Sequence, residues 1–430
     1  MEFSGLFLPF DIASRKSVIV AISGGSDSTA LLLLLKSHVD RAAPTTRLVA
    51  VTVDHALREG SDREAAGVGA LCARLGVPHR IMTWSGVKPA TGISEAAREA
   101  RHTLLAEVSE IENTDLVLTG HTADDQAETV LMRQARRGDP GERRGLAGIA
   151  PATVFEGSTW FARPLLQARR AALRTYLSDR GIGWIDDPTN VDVRYERPRQ
   201  RMALSGPGGD VAIEDALILA RATALQRQET GLGAARLIRE HVSQAAPSLM
   251  RLETGFFREA NREASIYALR ILLAVAGGAV QLPDHERSAA LHDRLSAGNL
   301  VRDTLAGALV DARKTGVFLA RELRGLPGRE APEGVIWDGR YRIISAGDAC
   351  RANSLGAAPP TQGEIPESLL RHAAATLPVP ASGCLAIPVV APWARYLPSF
   401  DIVPARAVAE LVGAAEIPEP PLRGHIESKA

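Results

Sequence analysis

Cysteine is scarce in this 430-residue chain, with Cys72, Cys350 and Cys384 the only three. Their odd number and the lack of any C-x-x-C spacing argue against a disulfide framework, a zinc ribbon or an iron–sulfur ligand set. A net charge is lacking too, since 50 lysines and arginines face 50 aspartates and glutamates. The overall balance therefore gives no pointer to a polyanionic partner, and any nucleic-acid surface has to be local. Aromatic residues are only 4% of the chain, too few to assign the stacking of splayed bases to named side chains. The Leu31–Leu35 run is far too short to span a bilayer, and Met1–Phe10 lacks the basic start and small-residue cleavage site of a secretory signal. A cytoplasmic protein with no membrane partner is expected. Internal repeats and long low-complexity tracts are absent.

What is present is 45% hydrophobic content over a length that exceeds one ordinary domain. From Ser17 onward, short β-branched runs alternate with amphipathic stretches, the signature of βα units around a parallel sheet. Strands are expected at Ser17–Ile22, Leu48–Val53, His79–Thr83, Leu116–Thr119 and Trp160–Pro164, with helices near Asp62–Leu75, Ser94–Ile111 and Asp124–Arg136. The fold class expected is α/β, a doubly wound parallel sheet over residues 1–205. After about Met202 the pattern turns to Ala-, Leu- and Arg-rich amphipathic segments with little strand signal. A helical domain is expected over 206–325, followed by a small α+β or β-rich region over 326–430.

The first strand runs into Ser23-Gly24-Gly25-Ser26-Asp27-Ser28, and a leucine-rich helix follows. Glycines let a backbone approach an anion, while successive N–H groups and the helix N-terminus offer it partial positive charge. The loop reads as a phosphate cradle, although a helix cap is the simpler alternative. Neither the Walker lysine nor a G-x-G-x-x-G spacing is present. Asp27 would repel a phosphate unless a divalent cation lies between them, so magnesium is implied. A second signal is Thr119-Gly120-His121-Thr122-Ala123-Asp124-Asp125-Gln126-Ala127-Glu128-Thr129. Asp125 and Glu128 are three residues apart on a helix, and so share a face toward the carboxyl edge of the sheet. Such a pair can hold a metal or an ammonium group, and also complements a helix dipole. Between Arg133 and Arg201 lie 14 arginines, no lysine and 8 acids, a local excess of six positive charges. This stripe can track an RNA backbone or form a solvated face, and Arg133, Arg136, Arg137, Arg194, Arg197 and Arg199 are its candidate RNA contacts.

Ser-Gly-Gly-x-Asp-Ser resembles the PP-loop of the N-type ATP pyrophosphatases, which bind ATP, release its pyrophosphate and transfer AMP to a substrate oxygen. Within that superfamily the chain resembles the lysidine synthases. Their H-x-x-D-D-Q-x-E-T pattern matches His121, Asp124, Asp125, Gln126, Glu128 and Thr129. Further matches are Arg163-Pro164-Leu165-Leu166 and the Trp184–Asn190 segment, and Glu95-Ala96-Ala97-Arg98-x-x-Arg101 resembles the family's E-x-x-A-R-x-x-R helix with a spacing one residue shorter. A Y-x-R-N-x-x-R pattern falls at Tyr195–Arg201, where Pro198 replaces its asparagine. That departure leaves the terminal catalytic arginine open between Arg199 and Arg201.

The resemblance implies ATP bound by Ser23, Gly24, Gly25, Ser26, Asp27, Ser28, Asp54, His55 and His121. Magnesium would be held at Asp27 and Asp125, and catalysis carried by Asp27, Arg101, Asp125, Glu128 and Arg201. The implied reaction joins free lysine to the wobble cytidine of the CAU anticodon of tRNA(Ile), through an adenylated intermediate. The alternatives are tRNA thiolation by a related enzyme, which would need cysteines at the site, and a non-enzymatic adenine-nucleotide-binding module. The oligomeric state stays open, a homodimer among the options.

Overall fold

A computed structural model of the chain describes residues 3, 5–58, 60–136, 143–186, 194, 196–258, 260–346 and 365–423. The chain separates into two compact units, one of residues up to 224 with a short return from 419, the other of residues 225–418.

The first unit is built on β1 (Ser17–Ala21), β2 (Arg47–Asp54), β3 (His79–Thr83), β4 (Leu116–Leu118), β5 (Ala152–Phe155) and β6 (Thr159–Ala162). Val18, Ile19 and Val20 of β1 and Leu116, Val117 and Leu118 of β4 are fully buried, as expected of strands covered on both faces. Strands β1, β2, β3, β4 and β6 pair in parallel, and β5 turns back antiparallel on β6. The order β5-β6-β4-β1-β2-β3 reverses between β1 and β4. At that reversal the loops leaving the two strands diverge and open a crevice at their carboxyl ends, which is where open α/β sheets bind ligands. The loop after β1 is Ser23–Gly25 and the loop after β4 carries Gly120 and His121.

Helix α1 (Ser26–Ala42) follows β1, and Leu31, Leu32 and Leu35 are buried without residual exposure. Each such leucine contributes about 1.5–3 kcal/mol. Helices α2 (Ser61–Arg74), α3 (Ile93–Ile111), α4 (Ala123–Ala135) and α5 (Arg170–Ser178) complete the crossovers, followed by α6 (Glu196–Leu204) and α7 (Gly209–His241). Ile213, Ala216 and Ala220 of α7 pack on Ala127 and Val130 of α4 and on Leu146.

The second unit contains helices α8 (Arg262–Gly277), α9 (His285–Ser296), α10 (Glu367–Ala375) and α11 (Ile402–Val412). It also holds an antiparallel sheet of β7 (Val242–Ala246), β8 (Leu249–Leu252), β9 (Arg302–Leu305), β10 (Ala308–Arg313) and β11 (Gly316–Arg321), in the order β7-β8-β11-β10-β9. These strands have four to six residues, and β10 and β11 are buried along nearly their whole length. They therefore lack the alternation that marks a half-exposed strand. Helix α8 is buried on every side from Ala264 to Gly277, as a core helix should be. A three-stranded sheet of Ile336–Trp337, Tyr341–Ser345 and Cys384–Pro388 lies in the region expected to be α+β or β-rich. Among the described residues no helix is long and apolar enough to cross a membrane.

Candidate active site

The loop after β1 is held open by its own hydroxyls. The Ser23 backbone N–H donates to Ser28 Oγ at 3.1 Å, and Ser28 Oγ donates to the Gly25 carbonyl at 3.1 Å. Gly24 has φ +84, and a Cβ there would meet Ile185 Cδ1 at 2.7 Å. The Ile185 N–H donates to the Gly24 carbonyl at 2.9 Å, so the Trp184–Asp186 segment is docked on the loop. Gly120 is required by proximity, since its Cβ would lie 2.9 Å from Ser28 N. The loop after β4 thus abuts the first turn of α1 through backbone atoms.

Between them opens a cavity of about 1440 Å³, lined by the Ser23–Ser28 loop, His55, Arg98, Arg101, His121, Asp125, Glu128, Arg163, Arg170, Arg197 and Arg201, among others. Its charges fall into two groups. The first is acidic and matched. Asp125 closes a capping box with Thr122, accepting from the Thr122 backbone N–H at 2.9 Å and Oγ1 at 2.8 Å through Oδ2. Oδ1 accepts from Arg170 at 3.0 Å and Arg197 at 3.3 Å. One carboxylate therefore caps a helix with one oxygen and faces the cavity with the other. Burial opposes its ionisation, but Arg170 and Arg197 outweigh burial and hold the Asp125 carboxyl at about 2. Glu128, with a side chain only 1% exposed, accepts from Arg197 Nε at 3.0 Å and Arg201 Nε at 2.9 Å. Asp27 accepts from Arg170 Nε at 2.8 Å. Burial raises its pKa, against the pull of Arg170.

The second group is basic. Among the described residues Arg98, Arg101 and Arg163 have no carboxylate partner. Arg101 donates toward His55 Nε2 at 3.1 Å, with the ring in its acceptor tautomer. Arg163 is buried and gives its Nη1 to the carbonyls of Ala150 and Phe161, which leaves its Nε without a hydrogen-bond partner. Burial, with Arg98 nearby, lowers the Arg163 pKa to about 9. Burial and the neighbouring arginines also hold His55 at about 4, His102 at about 4 and His121 at about 3. An anion entering here would meet unmatched positive charge and neutral imidazoles.

The structure gathers Ser23, Gly25, Ser26, Asp27, Ser28, His55, Arg101, His121, Asp125, Glu128 and Arg201 around one cavity. Gly24 belongs to the same loop. Asp54 does not line the cavity, and its carboxylate accepts the Ala56 N–H at 2.8 Å. Arg201 rather than Arg199 reaches the acidic group, whereas Arg199 is exposed and donates to the Arg194 carbonyl. Among the candidate tRNA contacts, Arg197 turns to Asp125 and Glu128, Arg133 donates to the carbonyls of Gly145 and Gly148, and Arg136 pairs with Glu196. Arg194 and Arg199 are exposed, and Arg137 lies outside the described residues, as do Asp187–Asn190.

Two contributors escaped the sequence reading, Arg170 and Arg174, and Asp124, matched there as part of a motif, was given no role of its own. Asp124 Oδ2 accepts the Arg170 backbone N–H at 2.7 Å, and Arg174 reaches Ser26 Oγ at 3.3 Å and Asp186 at 2.7 Å. The available signal was Arg169-Arg170 at a helix N-terminus, where the macrodipole disfavours cations.

Residues 3–206 match the PP-loop domain family. The chain is 50% identical over 432 residues to the tRNA(Ile)-lysidine synthase of Mesorhizobium japonicum, covering 95% of this chain and 94% of that protein. It is 37% identical over 365 residues to the tRNA(Ile)-lysidine synthase of Brucella ovis, covering 84% and 80%. Among solved structures, the U34-tRNA thiolase NcsA of Methanococcus maripaludis aligns over 51% of this chain and 78% of its own, with 17% identity and a TM-score of 0.42. With half its residues shared across nearly its whole length, the chain belongs to the tRNA(Ile)-lysidine synthase family.

Proposed function

We propose that this chain uses ATP to join free lysine to C2 of the wobble cytidine, C34, in the CAU anticodon of tRNA(Ile), releasing AMP and pyrophosphate and shifting codon reading from AUG to AUA. The observation that carries the reading is one cavity in which the Ser23–Ser28 cradle faces Asp125 and Glu128 on α4. Family membership supplies the substrate class.

Two substitutions make up the reaction. In the first, cytosine O2 attacks the α-phosphorus of ATP, the α–β phosphoanhydride bond breaks and pyrophosphate leaves. The amides of the Ser23–Ser28 loop bind the leaving pyrophosphate, and Arg101 neutralises charge as it develops. His55, held neutral, lies beside Arg101, and in this reading it receives the adenosine. In the second, the lysine ε-amine attacks C2, loses a proton, and the C2–O bond breaks to release AMP. Asp125, whose carboxyl stays ionised to about pH 2, is a poor base at neutral pH and a good partner for an ammonium. The proton acceptor is then Glu128, once Arg197 or Arg201 turns from it to an anionic group of the substrates.

The donor set fits magnesium of the nucleotide-borne kind. Among the described residues no group of three or more His, Cys, Asp or Glu side chains is placed to cage a metal. Asp27 and Asp125 are two carboxylates bound to one guanidinium, and magnesium commonly takes one or two carboxylates with phosphate oxygens completing its shell. When bound, it would neutralise charge on the pyrophosphate.

The boundaries proposed are a catalytic domain at 1–205, a tRNA-contacting region at 206–325 whose helices are joined by the β7–β11 sheet rather than standing alone, and an accessory region at 326–430, with Arg194 and Arg199 as outward RNA contacts. Thiolation is disfavoured because neither Cys72 nor Cys384 lines the cavity, while Cys350 lies outside the described residues. Both described cysteines are free thiols, in keeping with a cytoplasmic location. Labelled lysine entering a tRNA(Ile) transcript only when ATP is present is the expected result. ATP cleavage without lysine transfer would overturn the reading.

A further inference from the structure

Three different nitrogens of Arg170 meet three different carboxylates: Nε lies 2.8 Å from Asp27, Nη2 3.0 Å from Asp125 and Nη1 3.4 Å from Glu128. A guanidinium in that position performs the electrostatic task that the proposed function gives to a divalent cation. We infer that Arg170 is a resident counter-ion of the nucleotide-free enzyme, and that it and the divalent cation are alternative occupants of the space between Asp27 and Asp125.

The local sequence does not place a cation there for its own sake. Arg170 is the first residue of α5 and Arg169 is its N-cap, so two positive side chains sit at the positive end of a helix dipole. What holds Arg170 is the acidic group, together with Asp124, which receives its backbone N–H at 2.7 Å. The backbone is thus pinned while the guanidinium remains on a long, rotatable stem. One turn later, Arg174 reaches Ser26, the residue before Asp27, so α5 turns two arginines toward the start of α1.

Charge accounting gives the inference its direction. Asp27, Asp125 and Glu128 are matched one for one by Arg170, Arg197 and Arg201. A divalent cation arriving alone would leave this group two charges in excess and would have to displace a guanidinium with nowhere to go. Arriving with a triphosphate, it brings the anion to which the freed Arg170 can turn. The metal should therefore bind weakly before ATP and tightly with it, with Arg170 acting as a positioning residue that enforces the order. This rests on the proposal that a divalent cation accompanies ATP at Asp27.

The test is Mn2+ binding to the full-length chain without nucleotide, followed by electron paramagnetic resonance. Arg170→Gln should bind Mn2+ at least tenfold more tightly than wild type, and adding Asp27→Asn should erase the gain. Arg170→Lys, whose point charge cannot span three carboxylates, should gain less but in the same direction. It carries the test should Arg170→Gln fail to fold by circular dichroism. A folded variant with no gain, or a gain that survives loss of Asp27, overturns the inference. Lysine incorporation separates the two levels: if it is absent while the Mn2+ gain is present, the reaction assignment falls and the counter-ion role stands. If it is present while the gain is absent, only the counter-ion role falls.

Discussion

Asp124 Oδ2 accepts the backbone N–H of Arg170 at 2.7 Å, tying the first turn of α4 to the first turn of α5. Through this bond the helix that carries Asp125 and Glu128 fixes where α5 begins. Asp124→Ala should remove a helix cap worth about 1 kcal/mol and loosen Arg170 against Asp27. Lysine incorporation should fall about tenfold or more, with a small drop in melting temperature. Activity equal to wild type would show that α5 is positioned by other means.

Asp27 ionises at a cost, because burial raises its pKa and Arg170 only partly offsets the effect. A half-buried charge kept at such a place has to do work that a neutral isostere cannot. Asp27→Asn should bring tRNA-dependent pyrophosphate release close to background while leaving the fold intact by circular dichroism. Retained release would remove the metal role from Asp27.

The contact of Gly120 with the loop predicts a steric effect on ATP binding. A methyl group 2.9 Å from Ser28 N and 3.1 Å from the Asp27 carbonyl carbon forces backbone to move, and overpacking of this kind costs about 1–3 kcal/mol. Gly120→Ala should raise the KM for ATP about tenfold and leave the KM for lysine near its original value. An equal rise in both would point to general unfolding of the cavity.

Glu128 separates the two chemical steps. Glu128→Gln keeps the shape of a side chain that is 1% exposed and removes its charge and its ability to take a proton. Adenylation, read as pyrophosphate release, should be slowed less than lysine transfer, which should fall by about 10²–10⁴. Equal loss in both steps would assign Glu128 to holding the fold rather than to the amine.

The three cavity histidines predict a pH dependence of stability. His55 and His102 are lowered to about 4 and His121 to about 3 by burial and neighbouring arginines, whereas unfolded histidine titrates near 6.5. Between these values the unfolded chain binds more protons, so stability is lost as pH falls from 6.5 toward 4. Buried His38 and His292 and half-buried His79 shift in the same direction. The raised pKa of Asp27 acts in the opposite sense. The urea midpoint should decline over that window, and His121→Gln should flatten the slope. A midpoint unchanged from pH 6.5 to 4 would contradict the burial of neutral imidazoles.

What the sequence made legible was local. Strands such as Ser17–Ala21 are β-branched runs followed at once by a glycine turn and a helix, so both the sheet and its phosphate loop could be read in order. Asp125 and Glu128 were legible because a helix brings residues three apart to one face. Arg170 was not, since its partner Asp27 is 143 positions away and only folding joins them. Arg163 likewise has a meaning that depends on burial, which composition does not reveal. The β7–β11 sheet was missed because its strands are short, carry alanine, and are buried on both sides at Ala308–Arg313 and Gly316–Arg321, so no period-two pattern marks them.

The account stands most directly on where the lysine goes. Purified chain, ATP, magnesium, lysine and a tRNA(Ile) transcript with a CAU anticodon should yield one AMP and one pyrophosphate per lysine attached, with mass spectrometry of the digested tRNA placing lysine on C34 alone. Lysine found at another nucleotide, or pyrophosphate released with C34 unmodified, would contradict it.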